Sequence, residues 1–369
     1  MKALLKWAGG KERELKSILP KSPKHINNYY EPFFGGGAVY FSIGKIDGRN
    51  FVNDASNELI DFYQSIKSSD KIFFQTLEQI NQQWIEITKF FSSISEETLA
   101  AYKSYKMDEI TDKEVAELTL SYARKFSIVF GIEITRRQTL EKEIDKSFKN
   151  KLKRTKKLEI EKGALPEEDL QKIFLSAFKS GYYTFVRALY NNPEKYELNS
   201  SEYNAIFLFI RMFCYSGMFR YNSSGDFNVP YGGIGYNNNN LSKKIAYYHS
   251  EALHQKFSET EFENLDFEDF LDTKELSEND FIFLDPPYDT EFSTYAQNEF
   301  NKHDQQRLAN FLINKTAAKW MLVIKSTEFI LGLYKDKDLV IEAVDKKYNV
   351  SFMDRNNKDV THLIIRNYE

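Results

Sequence analysis

The order strand, glycine-rich turn, helix and strand within the first seventy residues constrains the fold of this chain more than any other feature. Strand-like runs at 25–33 and 50–54 flank the helix-like AVYFSIG, which begins directly after three glycines at 35–37. A second helical pattern follows at 57–67, where apolar residues recur at helical spacing. Strands that alternate with helices in this way form parallel sheets covered by helices on both faces. The sequence therefore predicts the start of a doubly wound α/β sheet.

The strand pattern resumes only in the last third of the chain. Four strand-like runs occur there, at 279–285, 319–326, 338–344 and 361–367. Residues from about 70 to 135 and from about 168 to 215 have apolar side chains at helical spacing instead. We therefore predict one α/β domain with a Rossmann-like sheet, formed by residues 1–70 and 241–369. A largely helical insertion at 71–240 splits this domain in sequence.

A lysine-rich stretch, EKEIDKSFKNKLKRTKKLEIEK at 141–162, lies within the insertion. We interpret it as the solvated face of a helix or as a mobile connection, which are the usual settings of such a run. Contact with a DNA backbone is the alternative interpretation.

The overall composition indicates a globular protein but does not indicate what it binds. The 369 residues are 42% hydrophobic and 28% charged, and the net charge is −4, so any nucleic-acid surface must be local. The single cysteine, Cys214, excludes a disulfide framework and a Cys-rich zinc site, and no metal site is expected. The N-terminus lacks a signal-peptide pattern, and the longest apolar run, AIFLFIRMFCY, is too short to span a bilayer. A cytoplasmic protein is expected.

The ends of the first two strands have the residue types of a ligand site. Glycines between a strand and a helix let the backbone approach a ligand closely, and the helix N-terminus adds N–H donors. The spacing differs from the G-x-G-x-x-G of dinucleotide enzymes, and the turn lacks the lysine and hydroxyl residue of a P-loop. Asp54 ends the next strand, where an acid binds ribose hydroxyls in a doubly wound fold. Capping of the following helix is the alternative role of Asp54.

The run at 279–285 ends in an unusual tetrapeptide, Asp285-Pro286-Pro287-Tyr288. Proline fixes φ and disfavours the helical region in the preceding residue, so this segment is held extended beyond the strand. It presents a carboxylate, a carbonyl without a competing local N–H, and an aromatic face. These groups suit a planar ring that carries an exocyclic amine. A strand terminator followed by a packed tyrosine is the alternative.

Together these motifs resemble the Dam-like, class α DNA adenine-N6 methyltransferases, which use S-adenosylmethionine. The resemblance covers most of 1–70 and about 204–369. Its motifs occur in the family's order: LKWAGGK (5–11), EPFFGGGAVYF (31–41), NDASNELIDFY (53–63), SGMFRYNSSGDFNVPYG (216–232), DPPY (285–288) and TYAQNEFNKHDQQRL (294–308). It implies site-specific methylation of double-stranded DNA by an orphan enzyme or by one that shares its site with a restriction endonuclease, without direct contact between the two. It also implies a location at the nucleoid of a bacterial, archaeal or phage-infected cell.

The resemblance also implies which residues hold the cofactor. The residues carried over are Trp7, Ala8, Gly9, Gly10, Lys11, Phe33, Gly35, Gly37, Asp54, Asp266, Phe267 and Asp285. Asp266 and Phe267 would lie around the adenine of the cofactor, and Asp54 would bind its ribose hydroxyls. Core packing of Trp7, a surface charge at Lys11 and an ordinary amphipathic turn at Asp266 are the alternatives.

The resemblance makes Asp285, Pro286, Pro287 and Tyr288 the catalytic loop. Hydrogen bonds from N6 of adenine to the Asp285 carboxylate and the Pro286 carbonyl would make the lone pair of N6 available. Tyr288 would stack on the base after it is flipped out of the duplex. Methyl transfer is then direct and needs alignment rather than a covalent intermediate. Cys214 accordingly reads as a buried apolar residue and not as the nucleophile of a cytosine-C5 enzyme.

Residues 216–232 are expected to form a β-hairpin that reads bases in the major groove, because SSGDF supplies turn chemistry between two short runs. Arg220 is the expected base reader, and a solvent-facing arginine is the alternative. The other residues predicted near DNA are Lys6, Asn222, Asn228, Pro230 and Tyr231. The GIGY that follows NVPYG and the large insertion depart from the Dam pattern, so GATC is only one candidate recognition sequence.

Three rival functions follow from the same residues. Cytosine-N4 enzymes tend to carry Ser-Pro-Pro-Tyr, so Asp285 favours adenine as the acceptor. A silent DNA-binding protein on this scaffold would be expected to have a damaged cofactor loop or a damaged DPPY, and both are intact here. The glycine spacing disfavours an NAD-linked oxidoreductase.

Overall fold

The computed structural model describes residues 1–7, 9–288, 300–346 and 360–369. The chain forms two compact units, one from residues 1–67 with 250–369 and the other from residues 68–249. The chain thus leaves the first unit once and returns to it. The assignment of catalysis to 1–70 with 241–369, and of DNA recognition to 71–240, stays a prediction.

The first unit is built on a mixed sheet of seven strands in the described residues. The strands are β1 (Tyr29–Glu31), β2 (Asn50–Asn53), β3 (Thr260–Glu263), β4 (Phe281–Leu284), β5 (Lys319–Lys325), β6 (Val340–Lys346) and β7 (Val360–Arg366). Their order across the sheet is β3-β2-β1-β4-β5-β7-β6. β7 is antiparallel to both of its neighbours, and the other neighbouring strands are parallel. The predicted doubly wound, Rossmann-like sheet is confirmed.

The described residues also form thirteen α-helices. They are α1 (Leu15–Ile18), α2 (Ala38–Ser42), α3 (Asn57–Lys67), α4 (Lys71–Lys106), α5 (Asp112–Val129), α6 (Ile134–Lys162), α7 (Glu167–Asn191), α8 (Ser200–Phe213), α9 (Ser242–Tyr248), α10 (Glu251–Ser258), α11 (Phe267–Asp272), α12 (Lys302–Asn314) and α13 (Glu328–Tyr334). None of the helices in these described residues is both long enough and apolar enough to cross a membrane.

The centre of the sheet is apolar on both faces. All four residues of β4 are buried, and so are the five central residues of β5. Leu308 and Leu312 of α12 share one apolar cluster with these strands, and so does Phe270 of α11. Parallel strands that are covered on both faces have continuous apolar sequences. This is why FIFL and WMLVI are recognisable as strands from the sequence.

The sequence pattern did not predict β3. Its four residues, TEFE, alternate between buried and half-buried side chains, and the strand lies at the edge of the sheet beside β2. Two buried positions are too few to establish a period of two. The strand is defined by its tertiary contacts, because Thr260 through Glu263 pair in parallel with β2.

The second unit is helical, with helix starts that are set by local sequence. The Asp70 carboxylate caps α4 by accepting hydrogen bonds from the amides of Ile72 and Phe73 at 2.9 and 3.0 Å. Thr111 and Glu114 form a capping box at the start of α5. Such caps satisfy amides that have no partner within the helix.

The lysine-rich stretch lies in α6, which has one buried face and one solvated face. The buried face consists of residues at mostly four-residue spacing: Leu140, Ile144, Phe148, Leu152, Thr155 and Glu159. Several lysines of the other face form ion pairs, with Nζ of Lys149 and Lys153 lying 2.6 Å from carboxylate oxygens of Asp145 and Asp112. These features fit the interpretation as a solvated helix face.

Candidate active site

The strand order reverses between β1 and β4, which lie side by side and are parallel. β1 leads to β2 on one side, and β4 leads to β5 on the other. The loops that follow these two strands therefore run in opposite directions and leave a crevice between them. In open α/β sheets, ligands bind in such a crevice, beyond the carboxyl ends of the strands. Phe33 follows β1 and Asp285 follows β4, so these two predicted residues lie at that edge of the sheet.

The glycine turn after β1 packs against the N-terminal segment of the chain. Gly35 and Gly37 have φ angles of +50° and +68°, and Gly37 caps α2. A Cβ atom on Gly35 would lie 2.9 Å from Cδ1 of Trp7, and one on Gly36 would lie 3.2 Å from the carbonyl oxygen of Leu5. Both the backbone conformation and the lack of space therefore require glycine at position 35. The absence of a side chain at Gly35 thus allows the Trp7 ring to pack directly against the turn.

The segment around Trp7 is a turn that leads to a buried lysine. The Gly10 amide donates to the carbonyl oxygen of Trp7 at 3.2 Å. Nζ of Lys11 donates to the carbonyl oxygen of Gly9 at 3.0 Å. Ala8, which was predicted to contact the cofactor, lies outside the described residues.

Asp54 is held by two backbone amides at the end of β2. Its Oδ2 accepts from the Gly35 amide at 2.8 Å, and its Oδ1 accepts from the Ser56 amide at 2.9 Å. Burial raises the pKa of this carboxyl above its ordinary value. A carboxylate has about four lone-pair sites, so two amides leave acceptor capacity for hydroxyl groups. The bond to Ser56, just before α3, also fits the alternative role as a cap.

Asn53 connects the exits of three strands. Its Nδ2 donates to the carbonyl oxygens of Pro32 and Leu265 at 3.1 and 3.0 Å, and its Oδ1 accepts from the Leu265 amide at 2.8 Å. One buried amide side chain thus fixes the loops that follow β1 and β3 to the end of β2.

Three aromatic rings cluster beyond β1 and β3. The ring centroids of Phe33 and Phe267 are 5.5 Å apart, and those of Phe33 and Phe300 are 5.4 Å apart. Phe267 is buried, whereas Phe33 is partly exposed. A partly exposed ring that is backed by buried rings offers an apolar surface on which a planar base can pack. The structure thus brings together two of the predicted cofactor residues.

Asp266 is engaged by an arginine that the sequence analysis did not identify. Oδ1 of Asp266 accepts from the Glu268 amide at 3.0 Å and caps α11. Arg307 donates to Oδ1 and Oδ2 of Asp266 at 2.6 and 3.3 Å, and its guanidinium lies 4.9 Å from the ring centroid of Phe267. Its Nε donates to Oε2 of Glu268 at 2.9 Å. Arg307 therefore ties both predicted adenine-binding residues to α12.

Lys11 joins two residues of the DPPY segment. Its side chain is 2% exposed, and its ammonium forms an ion pair with the Asp285 carboxylate, which is 18% exposed. The same ammonium donates to the hydroxyl of Tyr288 at 3.3 Å. A buried cation needs an opposite charge or hydrogen-bond acceptors. Lys11 is therefore buried beside the DPPY segment, and its interpretation as a surface charge is wrong.

The Pro-Pro segment is anchored by α12. Gln305 is fully buried and donates through Nε2 to the carbonyl oxygen of Pro287 at 2.9 Å. This bond fixes the backbone one residue beyond Pro286. A simple strand terminator would explain the prolines but not the paired carboxylate and the anchored carbonyl.

Glu31, the last residue of β1, adds a third carboxyl group to this edge of the sheet. It is 2% exposed, and the Tyr29 hydroxyl donates to it at 2.7 Å. Burial, together with the negative charges of Asp285 and Asp54, raises the pKa of Glu31 well above its ordinary value. Carboxyl groups thus follow or end β1, β2 and β4, and the raised pKa of Glu31 favours its neutral form.

Residues 216–232 form an antiparallel hairpin loop that is held by isolated bridges instead of a continuous ladder. The bridges pair Cys214 with Tyr231 and Tyr221 with Phe227. Asn222 closes the tip, because its Oδ1 accepts from the amides of Ser224 and Asp226 at 3.0 and 2.8 Å. The turn chemistry of SSGDF is therefore realised, but regular strands are not formed.

Most residues predicted near DNA are on the surface. Those that are exposed or partly exposed are Lys6, Arg220, Asn222, Asn228 and Pro230. Nε of Arg220 donates to Oδ1 of Asn228 at 3.0 Å. This bond orients the guanidinium, whose remaining donors are suited to the edge of a guanine.

Tyr231 is placed differently from the prediction. Its side chain is 7% exposed, its hydroxyl donates to Oδ1 of Asn237 at 3.2 Å, and its ring lies 5.5 Å from that of Trp84. Burial raises the pKa of Tyr231 above its ordinary value. Because the ring packs inside the helical unit, we do not retain Tyr231 among the DNA contacts.

The sequence analysis missed four polar residues that support the site, namely Asn53, Gln305, Arg307 and His362. The last of these interrupts the apolar run THLIIRN, and a polar residue inside a buried strand is a usable signal. Gln305 and Arg307 lie in an amphipathic helix, HDQQRL, where their polarity is unremarkable. Their roles depend on contacts with residues distant in sequence.

Comparisons with known proteins agree with this site. The model of the D12 class of N6 adenine-specific DNA methyltransferases matches residues 7–171 and 166–350. Type II methyltransferase M.CviBI of Paramecium bursaria Chlorella virus NC1A is 26% identical over the whole of both chains. Type II methyltransferase M.MjaIII of Methanocaldococcus jannaschii is 26% identical over all of this chain and 99% of its own. DNA N-6-adenine-methyltransferase of Escherichia phage P1 is 24% identical over 95% of this chain and 33% of its own. The strand order, the DPPY segment at the switch point and these matches together show that the chain belongs to the D12 class of N6 adenine-specific DNA methyltransferases.

Proposed function

We propose that this DNA adenine methyltransferase takes its methyl group from S-adenosylmethionine, held at the exits of β1, β2 and β4. The observation that carries this proposal is the convergence of the glycine turn, Asp54 and the Lys11–Asp285 pair at the topological switch point. The donor carries a sulfonium cation and an ammonium group. The Asp54 and Asp285 carboxylates at this edge of the sheet would attract these charges.

The residues of the site fit the parts of this cofactor. Asp54 has acceptor capacity beyond its two amide bonds, which suits the ribose hydroxyls. Phe33 and Phe267 offer apolar surface for the adenine, and Asp266 is oriented beside them by Arg307. The segment from Trp7 to Lys11, including Ala8 and Gly10, together with Gly35 and Gly37, would lie against the amino-acid part.

Catalysis then depends on hydrogen-bond acceptors around N6 of the target adenine. The Asp285 carboxylate and the Pro286 carbonyl would each accept one N6–H bond, which localises the lone pair on nitrogen. That lone pair forms the new N–C bond while the electron pair of the broken S–C bond stays on sulfur. One N6 proton then leaves toward Asp285 or water. Alignment of the acceptors is the main contribution of the protein.

Tyr288 would stack on the flipped adenine next to these acceptors. Its ring is partly buried against the apolar cluster of the sheet, and its hydroxyl is bonded to Lys11. An amine inside a duplex cannot reach a protein carboxylate, so extrusion of the base is required. The rigid prolines and the hydrogen bond from Gln305 would hold the acceptors and this ring in a fixed relative position.

Sequence preference would come from the hairpin loop at 216–232. Arg220 is oriented by Asn228 and would read a guanine edge in the major groove. Asn222 and Pro230 of this loop are exposed and would contact bases or phosphates. Lys6 is exposed as well and would contact a base or a phosphate. Phosphate contacts position a protein, whereas base contacts specify the sequence.

The function is tested by sequencing DNA from a methylation-free host that expresses the chain, with a method that reads modified bases. We expect N6-methyladenine at one recurring motif, and transfer of a labelled methyl group from S-adenosylmethionine to that DNA in vitro. Modified cytosine, or a folded protein that binds S-adenosylmethionine without modifying DNA, would contradict the proposal. Methylated DNA should resist an endonuclease that cuts the same motif, as expected for a restriction–modification enzyme acting on cytoplasmic DNA.

Arg220→Ala is expected to lower methylation of the recognised motif by about tenfold relative to sites with one changed base, because a bidentate guanine contact contributes about 1–3 kcal/mol of discrimination. Cofactor affinity should stay unchanged. Arg154→Ala is the matched control, since Arg154 is an exposed arginine of α6. Its loss should leave the preferred motif as it is. A change in cofactor affinity with an unchanged motif would refute the role of Arg220.

A further inference from the structure

β7 carries a buried histidine that the proposed reaction does not use. His362 is 2% exposed, and it lies in register with Lys325 of β5 and Val344 of β6. Its neighbours Leu363 and Ile364 are buried as well. A polar ring inside a strand needs hydrogen-bond partners, since burial without them costs free energy. The identity of its partner is therefore informative.

One partner of the ring is the tyrosine of the DPPY segment. Nε2 of His362 lies 3.0 Å from the hydroxyl oxygen of Tyr288, and the two ring centroids are 5.5 Å apart. Lys11 donates to the same hydroxyl oxygen at 3.3 Å. An ammonium can only donate, so the hydroxyl oxygen accepts from Lys11, and its second lone pair or its own hydrogen is available to Nε2 of His362.

The two contacts fix different aspects of the tyrosine. Lys11 also pairs with Asp285, so it sets the hydroxyl relative to the carboxylate. His362 sits on a strand that is paired on both sides, so it sets the hydroxyl relative to the sheet. A phenol held at its far end by two groups cannot tilt freely about its χ angles. Errors of about 1 Å in such alignment can lower a rate by about a hundredfold.

We propose that His362 is a positioning residue for methyl transfer, which holds the Tyr288 ring at the angle required to stack on the flipped adenine. This inference rests on the proposed function, because it assumes that Tyr288 contacts the base. His362 itself touches neither the base nor the methyl donor. It acts only through the tyrosine hydroxyl.

A double-mutant cycle tests the proposal with Tyr288→Phe, His362→Leu and the two combined. Tyr288→Phe keeps the ring and removes only the hydroxyl. Each single variant should lower the single-turnover methylation rate by about threefold to tenfold, the range of one hydrogen bond. Cofactor affinity should stay within about twofold, because the effect is on alignment rather than on uniform binding. The combined variant should be no slower than the slower single variant.

Further variants separate positioning from a purely structural role. His362→Gln keeps a polar group of similar reach and should recover most of the rate, while His25→Leu, at an exposed position, should have no effect. DNA with 2-aminopurine at the target should fluoresce more brightly with Tyr288→Phe or His362→Leu, since looser stacking quenches less. These readouts would not change for a histidine that only supports the fold.

Several outcomes would overturn the inference. If the fold-losses in rate of the two single variants multiply in the combined variant, the two groups act independently. A wild-type rate for Tyr288→Phe would show that the hydroxyl has no role, and this test holds even if His362→Leu fails to fold. Full activity in Asp285→Ala would instead refute the proposed catalytic role of the DPPY segment. If Asp285→Ala loses activity but the effects of Tyr288→Phe and His362→Leu on the free energy of activation simply add, only the role of His362 is refuted.

Discussion

Replacing Asp285 with alanine should lower DNA methylation by about a thousandfold or more, while binding of S-adenosylmethionine weakens only modestly. The carboxylate follows β4 at the switch point, and in the proposed mechanism it is the charged acceptor for N6. Removal of one aligned group that acts in the transition state typically costs about 10²–10³ in rate, and loss of an acid–base group costs about 10²–10⁴. Rates should be measured in single turnovers, and cofactor affinity by titration calorimetry.

The design must separate lost chemistry from lost structure. Asp285 also neutralises the buried Lys11 ammonium, so the variant will lose some stability and thermal unfolding must be followed. Asp285→Asn keeps an acceptor oxygen and should fall between the wild type and alanine. Asp47→Ala removes an exposed carboxylate of the same unit and should be fully active. Full activity of Asp285→Ala would overturn the assignment of the DPPY segment.

Local sequence was sufficient to single out the glycine turn and the DPPY segment, which follow β1 and β4 in the structure. Glycine is needed at positions 35 and 37 because the backbone there has positive φ angles. The two prolines after Asp285 restrict their own φ angles. Central strands such as β5 are long and apolar enough to recognise. These features belong to short segments, and their chemistry can be read from neighbouring residues.

The partners of these groups could not be predicted, because folding brings them from distant positions. Lys11 and Asp285 are 274 positions apart, and Tyr288 and His362 are 74 positions apart. Without these contacts, Lys11 has the pattern of an ordinary surface lysine. The same limit applies to Tyr231, whose sequence neighbours suggest a DNA surface but whose ring packs against Trp84. Tertiary contacts decided these cases.

Gly35→Ala is expected to weaken cofactor binding by about tenfold or more and to destabilise the fold by about 1–3 kcal/mol. Positive φ costs an alanine about 1–2 kcal/mol. The new methyl group would also lie 2.9 Å from Cδ1 of Trp7, so the tryptophan or the turn must move. Either movement disturbs the Gly35 amide that donates to Asp54. Strain and displacement therefore act together on residues proposed to hold the cofactor.

Gly131→Ala separates the two effects. Gly131 has a φ of +58°, close to that of Gly35, but a Cβ atom there would meet nothing within 4 Å. This control should lose a similar amount of stability to backbone strain while cofactor affinity is unchanged. The penalty of Gly35→Ala should also shrink in a Trp7→Ala background, since the contact is removed. If Gly35→Ala bound S-adenosylmethionine as tightly as Gly131→Ala, the glycine turn would lie outside the cofactor site, and the convergence of Trp7, Gly35 and Asp54 would serve packing alone.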